Sequence, residues 1–407
     1  MHRPQKQAAM GFIFATLLID VMGFAIVIPV FPDLIKGLIH GNYSDASSYA
    51  AWLAVAYSVT QFAFSPLIGN LSDRFGRRPV LLSSLLGFCA DYLFQAFAST
   101  IGWLFVGRLL AGITGASFTT ASAYIADISP PEKRAANFGM IGAAFGLGFI
   151  IGPFIGGMLG SINIHYPFIA AGLLALLNAA YGYFVLPESL APENRRPLEW
   201  KKVNPFGTLR KLSKYKAIFG LAISLFLIYF AVQSVQSVWS FYVQYKFNWT
   251  EKMVGYSLVV VGAMYAGVQG GLTRFIIPKF GMERSIWIGL VFYGFGMALF
   301  AFADKGWMMY AILVPYCLGG IAGPALQGYM SNHVPANEQG DLQGSLTSLQ
   351  SLSMVFAPYV MLKIFHDFTK PAAPLIFPGA HFILGAVLML LSALLAVLSF
   401  KRNKPAA

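Results

Sequence analysis

The sequence predicts an all-α polytopic membrane protein with twelve transmembrane helices arranged in two six-helix pseudo-repeats. Hydrophobic residues make up 57% of the 407 positions and charged residues only 11%. Apolar runs of about 20 residues, each long enough to cross ~30 Å of hydrocarbon as a helix, recur from end to end. The runs are continuous rather than alternating, so we expect helices and not a β-barrel. A set of residues also recurs at one constant offset, which indicates a duplicated unit.

The apolar runs place the twelve helices at about 8–35, 48–70, 79–98, 101–127, 135–160, 167–186, 216–244, 253–275, 284–303, 307–331, 341–364 and 377–400. Between the sixth and seventh runs lie four prolines and eight basic residues. We therefore predict an N-terminal six-helix bundle over 1–186, a basic cytoplasmic linker over 187–215 and a C-terminal six-helix bundle over 216–407.

The two halves are related by an offset of 205 residues, without gaps, across helices 3 to 5. The recurring pairs are Phe75-Gly76 and Phe280-Gly281, Gly115 and Gly320, Tyr124 and Tyr329, Pro130 and Pro335, Gly139 and Gly344, and Pro153 and Pro358. Parallel repeats of this kind suit a transporter whose substrate site lies near mid-membrane between two bundles.

The basic residues predict the orientation of the chain. Twenty-one of the 28 Lys and Arg residues fall on the side of the termini and six on the other side, while Arg108 lies inside a helix. The positive-inside rule then places both termini in the cytoplasm. The formal charge of +12 does not indicate a nucleic-acid partner, because these residues occupy short loops between apolar runs. Cys89 and Cys317 lie inside apolar runs and are expected to be core thiols.

Three ionisable residues fall well inside predicted helices: Asp20, Asp91 and Arg108. A charge at the membrane centre costs ~2.5–3.5 kcal/mol on insertion scales, so each is a candidate functional residue. Arg108 stays charged at any accessible pH and needs a partner, and only Asp20 and Asp91 lie at comparable depth. Two interpretations remain open: a static ion pair between helices, or a carboxylate whose protonation is switched by conformational change, as proton coupling requires. At the 205-residue offset the second half has no ionisable counterpart to these three.

Uncharged polar and aromatic side chains inside the helices are candidates for a substrate cavity. Gln233 and Gln236 are three residues apart and share a helix face, and Trp239 lies close by. The alternative is that such groups only make hydrogen bonds between helices. The candidates are Tyr57, Gln61, Gln233, Gln236, Trp239, Tyr265, Gln269, Tyr293 and Gln327.

Helix 5 carries glycines at spacings of four, which place a smooth stripe on one face so that another backbone can approach closely. A proline within this stripe is expected to bend the helix. The stripe is either a packing surface or a hinge or seal between the two halves. Its residues are Gly148, Gly152, Pro153, Gly156 and Gly157.

The loop between helices 2 and 3, Gly69-x-x-x-Asp73-Arg74-x-Gly76-Arg77-Arg78, resembles the signature of the major facilitator superfamily, and the resemblance extends over essentially the whole chain. The glycines of helix 5 resemble the motif associated with drug/proton antiporters. Within the superfamily the sequence is most similar to the tetracycline/proton antiporter group, in segments that include Leu18–Gly23, Asp91–Leu93, Gly107–Ala116, Ile125–Asp127 and Pro324–Gly328.

The resemblance implies a cytoplasmic gate, in which Asp73 holds the N-terminal end of helix 11 and Arg77 pairs with Asp127. The gate motif comprises Gly69, Asp73, Arg74, Gly76, Arg77, Arg78 and Asp127. It also implies that Asp20 and Arg108 belong to the coupling and substrate cavity. One departure is clear: the best-known tetracycline antiporters carry an essential acid in helix 9, where this sequence has Tyr293 and no acid.

The function predicted is proton-coupled efflux of a small amphiphilic compound or drug, with tetracycline-like molecules as one candidate class. Uptake or symport of another organic metabolite is the alternative, and a non-transporting receptor is a third interpretation. No nucleophile–base arrangement or metal-ligand spacing indicates an enzyme, a cofactor or a metal site. The expected partners are a small-molecule substrate, protons and the lipid bilayer, for a monomer in the bacterial inner membrane.

Overall fold

The structure, a computed structural model, describes residues 3–115, 117–129, 134–195, 218–334 and 339–403. The first half folds into α1 (Arg3–Val27), α2 (Phe31–Ile39), α3 (Tyr43–Phe75), α4 (Arg77–Ala96), α5 (Ile101–Thr114), α6 (Ser117–Ile128), α7 (Arg134–Gly160) and α8 (Tyr166–Val185). The second half folds into α9 (Phe219–Gln236), α10 (Trp239–Phe247), α11 (Glu251–Ala266), α12 (Thr273–Phe280), α13 (Met282–Phe302), α14 (Gly306–Leu318), α15 (Ala322–Asn332), α16 (Gln339–Asp367) and α17 (Ala380–Asn403).

The predicted all-α membrane fold is confirmed. In the described part of the chain, eleven helical stretches are long and apolar enough to cross a membrane, and Ile101–Thr114 is a shorter apolar helix. The linker predicted over 187–215 is described only to residue 195, with a short 3₁₀ turn at Pro192–Asn194. Its remainder lies outside the described residues.

Five helices predicted as continuous are interrupted. The first ends at Val27 and resumes at Phe31, because Pro29 and Pro32 cannot donate backbone hydrogen bonds. The fourth breaks at Gly115, and the tenth passes through a 3₁₀ turn at Gly319–Ile321, where two glycines weaken the helix. The seventh stops between Gln236 and Trp239, with no proline or glycine to mark the break.

The eighth helix contains the fifth interruption, a π-helical turn at Gly267–Leu272 between α11 and α12. The glycines at 267, 270 and 271 have open space where a Cβ would lie. Because these glycines pack weakly and have a low helix propensity, the change from α-helical to π-helical hydrogen bonding costs little free energy here.

The internal repeat reappears in the structure. The helices that start at Arg77 and Ile101 have counterparts that start 205 residues later, at Met282 and Gly306. Gly76 and Gly281, also 205 apart, precede α4 and α13 with φ of 105° and 77°, values that glycine adopts without strain. The duplication predicted from sequence is therefore visible as repeated helix boundaries.

Contacts divide the chain into two compact units that differ from the sequence halves at two short segments. Unit 1 comprises Met1–Gly41, Ala56–Asn204 and Thr250–Val259, and unit 2 comprises Asn42–Val55, Pro205–Trp249 and Val260–Ala407. The domain boundaries predicted at 186 and 216 stay predictions.

Unit 1 is built around α1, which packs on α7 and α8, while α4 packs on α5, α6 and α8. Its core includes Phe12, Leu17, Leu85 and Tyr124, each at most 1% exposed. Unit 2 is built around α13 and α17 packed on each other, with α9 against α16 and α17. Its core is rich in aromatic rings; Trp239 packs edge-to-face on Phe300 at 5.3 Å between centroids.

The glycine stripe of α7 lies against α1. A Cβ on Gly148 would lie 2.6 Å from Cγ1 of Val21, and one on Gly152 would lie 2.7 Å from Cβ of Ala25. Such distances are too short for any side chain, so the two backbones approach as closely as glycine allows. On another face of α7, Gly157 packs against Gly255. These contacts support the packing interpretation, and a hinge or seal stays a prediction.

Replacing Gly152 with valine is expected to destabilise the protein. The new methyl groups must displace α1, and overpacking of this kind costs about 1–3 kcal/mol. Thermal unfolding in detergent should show a lower midpoint for Gly152→Val. Gly146→Val, on the same helix with nothing within 4 Å of its Cβ position, is the matched control. Equal midpoints for the two variants would contradict close α1–α7 packing.

Candidate functional site

The predicted gate motif forms the end of α3, the turn at Gly76 and the start of α4. Arg77 is at its centre, with a side chain that is only 11% exposed. Its guanidinium forms ion pairs with Asp73 at 2.5 Å and Asp127 at 3.2 Å, and donates to Oγ of Ser72 at 2.6 Å. The Arg77–Asp127 pair implied by the resemblance is present. The structure pairs Asp73 with Arg77, and a contact of Asp73 with helix 11 stays a prediction.

The other motif residues surround this centre. The guanidinium of Arg78 donates to the carbonyl oxygen of Tyr183 at 2.5 Å and lies over its ring. Arg74 lies over the neighbouring ring of Phe75. A Cβ on Gly69 would meet nothing within 4 Å. Arg78 therefore ties the start of α4 to the end of α8, while Arg74 and Gly69 remain on the periphery.

Glu188, which follows Pro187 at the end of α8, was not predicted from sequence. Its carboxylate accepts the backbone N–H groups of Arg77 at 2.8 Å and Arg78 at 3.2 Å. The first N–H groups of a helix lack intrahelical partners and favour a negative charge. Glu188 therefore caps α4, and a side chain at Gly76 would collide with it. The sequence signal that could have identified Glu188 is an isolated acidic residue directly after the proline that follows a membrane helix.

The buried charge centre of unit 1 is an ion pair between α4 and α5. Nη2 of Arg108 lies 2.7 Å from Oδ2 of Asp91, with side-chain exposures of 16% and 2%. Nε2 of Gln95 donates to the same Asp91 oxygen at 2.9 Å. Oδ1 of Asp91, Oε1 of Gln95 and Nε of Arg108 are buried without a hydrogen-bond partner among the described residues. A buried pair with unsatisfied atoms carries a desolvation cost that its own contacts do not fully offset.

Asp20 of α1 belongs to the same electrostatic environment. Tyr57 and Tyr92 both interact electrostatically with Asp20, Asp91 and Arg108. The Arg108 guanidinium lies 5.8 Å from the centroid of the Tyr57 ring. The structure thus assigns Asp91 as the direct partner of Arg108, and Asp20 lies within electrostatic range of the same two tyrosines.

The predicted cavity residues fall into separate groups. In unit 1, Nε2 of Gln61 donates to the hydroxyl of Tyr57 at 3.0 Å and to the carbonyl oxygen of Gly115 at 3.3 Å. In unit 2, Gln233 donates to Gln236 at 3.3 Å, which confirms their shared face. Trp239 is 1% exposed. Its ring is therefore part of the core of unit 2, although the sequence had suggested that it lines a pocket beside the two glutamines.

The ninth predicted helix, α13, contributes a phenol at the position where the resemblance led us to expect an acid. Tyr293 on α13 is 1% exposed and its hydroxyl forms a hydrogen bond with that of Tyr265 on α11. Gln327 of α15 donates to the hydroxyl of Tyr229 at 3.2 Å. Unit 2 therefore presents uncharged hydrogen-bonding groups at these positions. In the described ranges, no three His, Cys, Asp or Glu side chains are grouped so that they could hold a metal ion.

Comparison with known proteins gives consistent matches over most of the chain. The family described as Major Facilitator Superfamily matches residues 13–358. The chain is 39% identical to the tetracycline resistance protein, class C, of Escherichia coli, over 94% of each chain. It is 36% identical to the class B protein of the same organism, over 86% of each. The crystal structure of a D-xylose-proton symporter superposes with a TM-score of 0.74 at 19% identity, covering 95% of this chain and 96% of that one.

Removing only one charge of the Asp91–Arg108 pair is expected to destabilise the protein more than removing both charges. Arg108→Gln leaves the Asp91 carboxylate buried without its partner, which costs about 3–5 kcal/mol. Adding Asp91→Asn removes that charge, so the double variant should unfold at a higher temperature than Arg108→Gln alone. As a control, Asp367→Asn breaks ion pairs with Lys363 and Lys370 whose side chains are about 40% exposed, and each pair should contribute only about 0–1 kcal/mol to stability. If the two substitutions changed the free energy of unfolding in a strictly additive way, that result would contradict a direct pair between Asp91 and Arg108.

Proposed function

Because the chain belongs to the major facilitator superfamily, we propose that it is a secondary active transporter that exports a small amphiphilic organic compound in exchange for protons. Proteins of this family are membrane transporters, so the prediction that the chain is not an enzyme is confirmed. It is a multi-pass inner-membrane protein. Alternating access is the proposed mode of transport, with both termini in the cytoplasm and the monomer as the functional unit.

The observation that carries the proposal is the buried Asp91–Arg108 ion pair, with Asp20 in the same electrostatic environment. A buried carboxylate beside a permanent cation changes its proton affinity whenever a conformational change alters their separation or their access to water. This is the property that an exchanger needs, since the substrate and the proton must compete for one form of the protein. Asp20 is the proposed proton carrier, and the Asp91–Arg108 pair sets the field around it.

Tetracycline-like molecules are the proposed substrates. Several relatives with 33–39% identity are named tetracycline resistance proteins. The polar groups of unit 2, which include Tyr265, Tyr293 and Gln327, are uncharged and suit the hydroxyl, keto and amide groups of a polycyclic amphiphile. Tyr293 is the departure from the tetracycline antiporter group, so at this position a substrate would meet a hydrogen-bonding phenol rather than a carboxylate.

The cluster around Arg77 is the proposed cytoplasmic gate. Its ion pairs with Asp73 and Asp127 and the Glu188 cap concentrate charge-assisted hydrogen bonds at the ends of α3, α4, α6 and α8. Bonds of this type are about twice as strong as neutral ones, so breaking them resists conformational change. The predominance of basic residues on this side supports its cytoplasmic orientation.

Asp20→Asn is expected to abolish transport driven by a pH gradient while leaving substrate exchange intact. The amide has nearly the shape of the carboxylic acid but cannot release a proton. The measurement is tetracycline accumulation in inside-out membrane vesicles with an imposed pH gradient, together with labelled-for-unlabelled exchange at equal pH. Asp304→Asn, at an exposed position on a connection, is the matched control and should behave as wild type.

Two outcomes would contradict the proposal. Gradient-driven accumulation that survives in Asp20→Asn would remove this residue from proton coupling. A wild-type protein that moves its substrate in the same direction as protons would be a symporter, which is the alternative that the sequence left open.

A further inference from the structure

Each compact unit contains one short segment that comes from the other half of the sequence. Asn42–Val55, at the beginning of α3, belongs to unit 2, and Thr250–Val259, at the beginning of α11, belongs to unit 1. At the repeat offset of 205 the first segment corresponds to 247–260, so the two exchanges are equivalent features of the duplicated unit. Both segments lie at the end of the membrane helices away from Gly76 and Gly281, which we call the outer end.

Both exchanged segments cross a helix of their unit and form an aromatic pair with it. In unit 1, the ring centroids of Phe154 on α7 and Tyr256 on α11 are 6.1 Å apart. In unit 2, Trp52 of α3 packs edge-to-face on Tyr359 of α16 at 5.0 Å between centroids. Tyr359 follows Phe154 by 205 residues, so the two crossings are equivalent by position.

The crossing of α7 and α11 in unit 1 is closed by contact between backbones. A Cβ on Gly157 would lie 2.7 Å from the carbonyl oxygen of Glu251 and 3.2 Å from Cα of Gly255. A Cβ on Gly255 would lie 2.5 Å from the carbonyl oxygen of Pro153. Small residues that face each other in this way let two membrane helices pack at short range.

The crossing of α3 and α16 in unit 2 contains a cluster of hydrogen bonds, formed by Ser44, His366 and Thr369, which we call the clasp. Nδ1 of His366 lies 2.8 Å from the carbonyl oxygen of Ser44, and the Ser44 hydroxyl donates to the carbonyl oxygen of His366 at 3.1 Å. Because a carbonyl oxygen can only accept, Nδ1 is the donor in the first bond. The Thr369 hydroxyl lies 2.9 Å from that of Ser44. Ser44 and Thr369 are 1% and 4% exposed, so the clasp is closed to water.

The first turn of α3 is held in shape around the clasp. The backbone N–H of Asp45 donates to Oδ1 of Asn42 at 2.9 Å, and Nδ2 of Asn42 donates to the Asp45 carboxylate at 2.9 Å. This reciprocal pair caps the helix. The Ser47 hydroxyl donates to the carbonyl oxygen of Ser44 at 2.6 Å. Ser44 therefore meets α16 from an ordered turn.

The clasp is a feature of this crossing and not of the repeat. At the offset of 205, the positions equivalent to His366 and Thr369 are Ser161 and Ile164. The Ser161 hydroxyl donates to the carbonyl oxygen of Met158, three residues earlier, at 2.8 Å. The shared helix architecture therefore does not account for the clasp.

We propose that the clasp is a latch on the outer opening of the transporter, which must break whenever the substrate path opens to that side. Alternating access moves the two halves of the sequence against each other, and the clasp joins α3 of the first half to α16 of the second. Neutral hydrogen bonds exchange for bonds to water at a modest net cost, so the latch can open and close reversibly. The proposal rests on the proposed transport function and adds a residue set that controls one of its conformational steps.

A reversible disulfide across the clasp tests the latch. In a protein with Cys89→Ala and Cys317→Ala, Ser44→Cys and Thr369→Cys are combined, because the hydroxyl oxygens that they replace are 2.9 Å apart. Oxidation with copper phenanthroline should stop the exchange of labelled for unlabelled tetracycline across proteoliposomes. Dithiothreitol should restore the exchange, which shows that the variant is folded.

A disulfide between Ser224→Cys on α9 and Ser392→Cys on α17 is the matched control. The hydroxyl oxygens of these serines are 2.7 Å apart in unit 2, and both helices come from the second half of the sequence. This cross-link should leave the exchange unchanged. Exchange that continues in the oxidised clasp variant, with the disulfide verified by mass spectrometry, would overturn the latch. An equal loss of exchange in the oxidised control would overturn it as well.

A second measurement needs no substrate. Ser47→Cys on α3 and Ser257→Cys on α11, each introduced alone into the same cysteine-free protein, place a thiol at a buried position of one exchanged segment. In right-side-out membrane vesicles, His366→Leu should make both thiols react several-fold faster with a membrane-impermeant maleimide. His366→Asn should have a smaller effect, because its amide keeps a hydrogen-bond donor near the position of Nδ1.

The labelling result separates the latch from the proposed function. Faster labelling of Ser47→Cys alone would indicate fraying of the first turn of α3 and would overturn the latch, and so would unchanged labelling at both positions. If wild type exchanged no tetracycline while His366→Leu accelerated labelling at both positions, the proposed substrate would be wrong and the latch would stand.

Discussion

The ion pair between Arg108 and Asp91 is the constraint around which unit 1 is organised. The arginine is permanently charged, and hydrocarbon offers it no solvation, so the surrounding helices must supply a partner. Asp91 does so at 2.7 Å, with Gln95 on the same oxygen. Atoms of all three residues remain without hydrogen bonds among the described residues. The pair is therefore costly for stability alone, which is why we assign it a part in proton coupling.

The two halves share a backbone plan and differ in chemistry. Repeated helix starts and the paired glycines at 76 and 281 show that the duplicated unit has kept its boundaries. The first half contains ionisable groups in its membrane helices and charge-assisted hydrogen bonds at the end that we propose to be cytoplasmic. At the corresponding depth the second half has phenols and amides, such as Tyr265, Tyr293 and Gln327. We infer a division of labour in which the first half handles protons and the second half recognises the substrate.

Sequence reasoning was successful for features that follow from general properties of membrane proteins. Apolar runs predicted the membrane helices, the 205-residue offset identified the repeat, and rare charges drew attention to Arg108 and Asp91, which the structure pairs. The roles of Asp20, Asp91 and Arg108 in proton coupling stay predictions. It failed for features that depend on helix register or on contacts between residues far apart in the sequence. The π turn at Gly267–Leu272 has no strong local signal beyond its glycines. Glu188 caps a helix more than 100 residues earlier in the chain, and Trp239 is buried by an aromatic core that only the folded unit contains.

Proton movement coupled to substrate movement is the central claim, and it is most directly measured with wild-type protein in liposomes that enclose a pH-sensitive dye. Tetracycline is added outside, with no imposed pH gradient, and protein-free liposomes give the baseline. Entry of substrate by exchange must carry protons out, so the lumen should become more alkaline than the baseline. Acidification of the lumen, or substrate entry with no change in lumenal pH, would contradict the account.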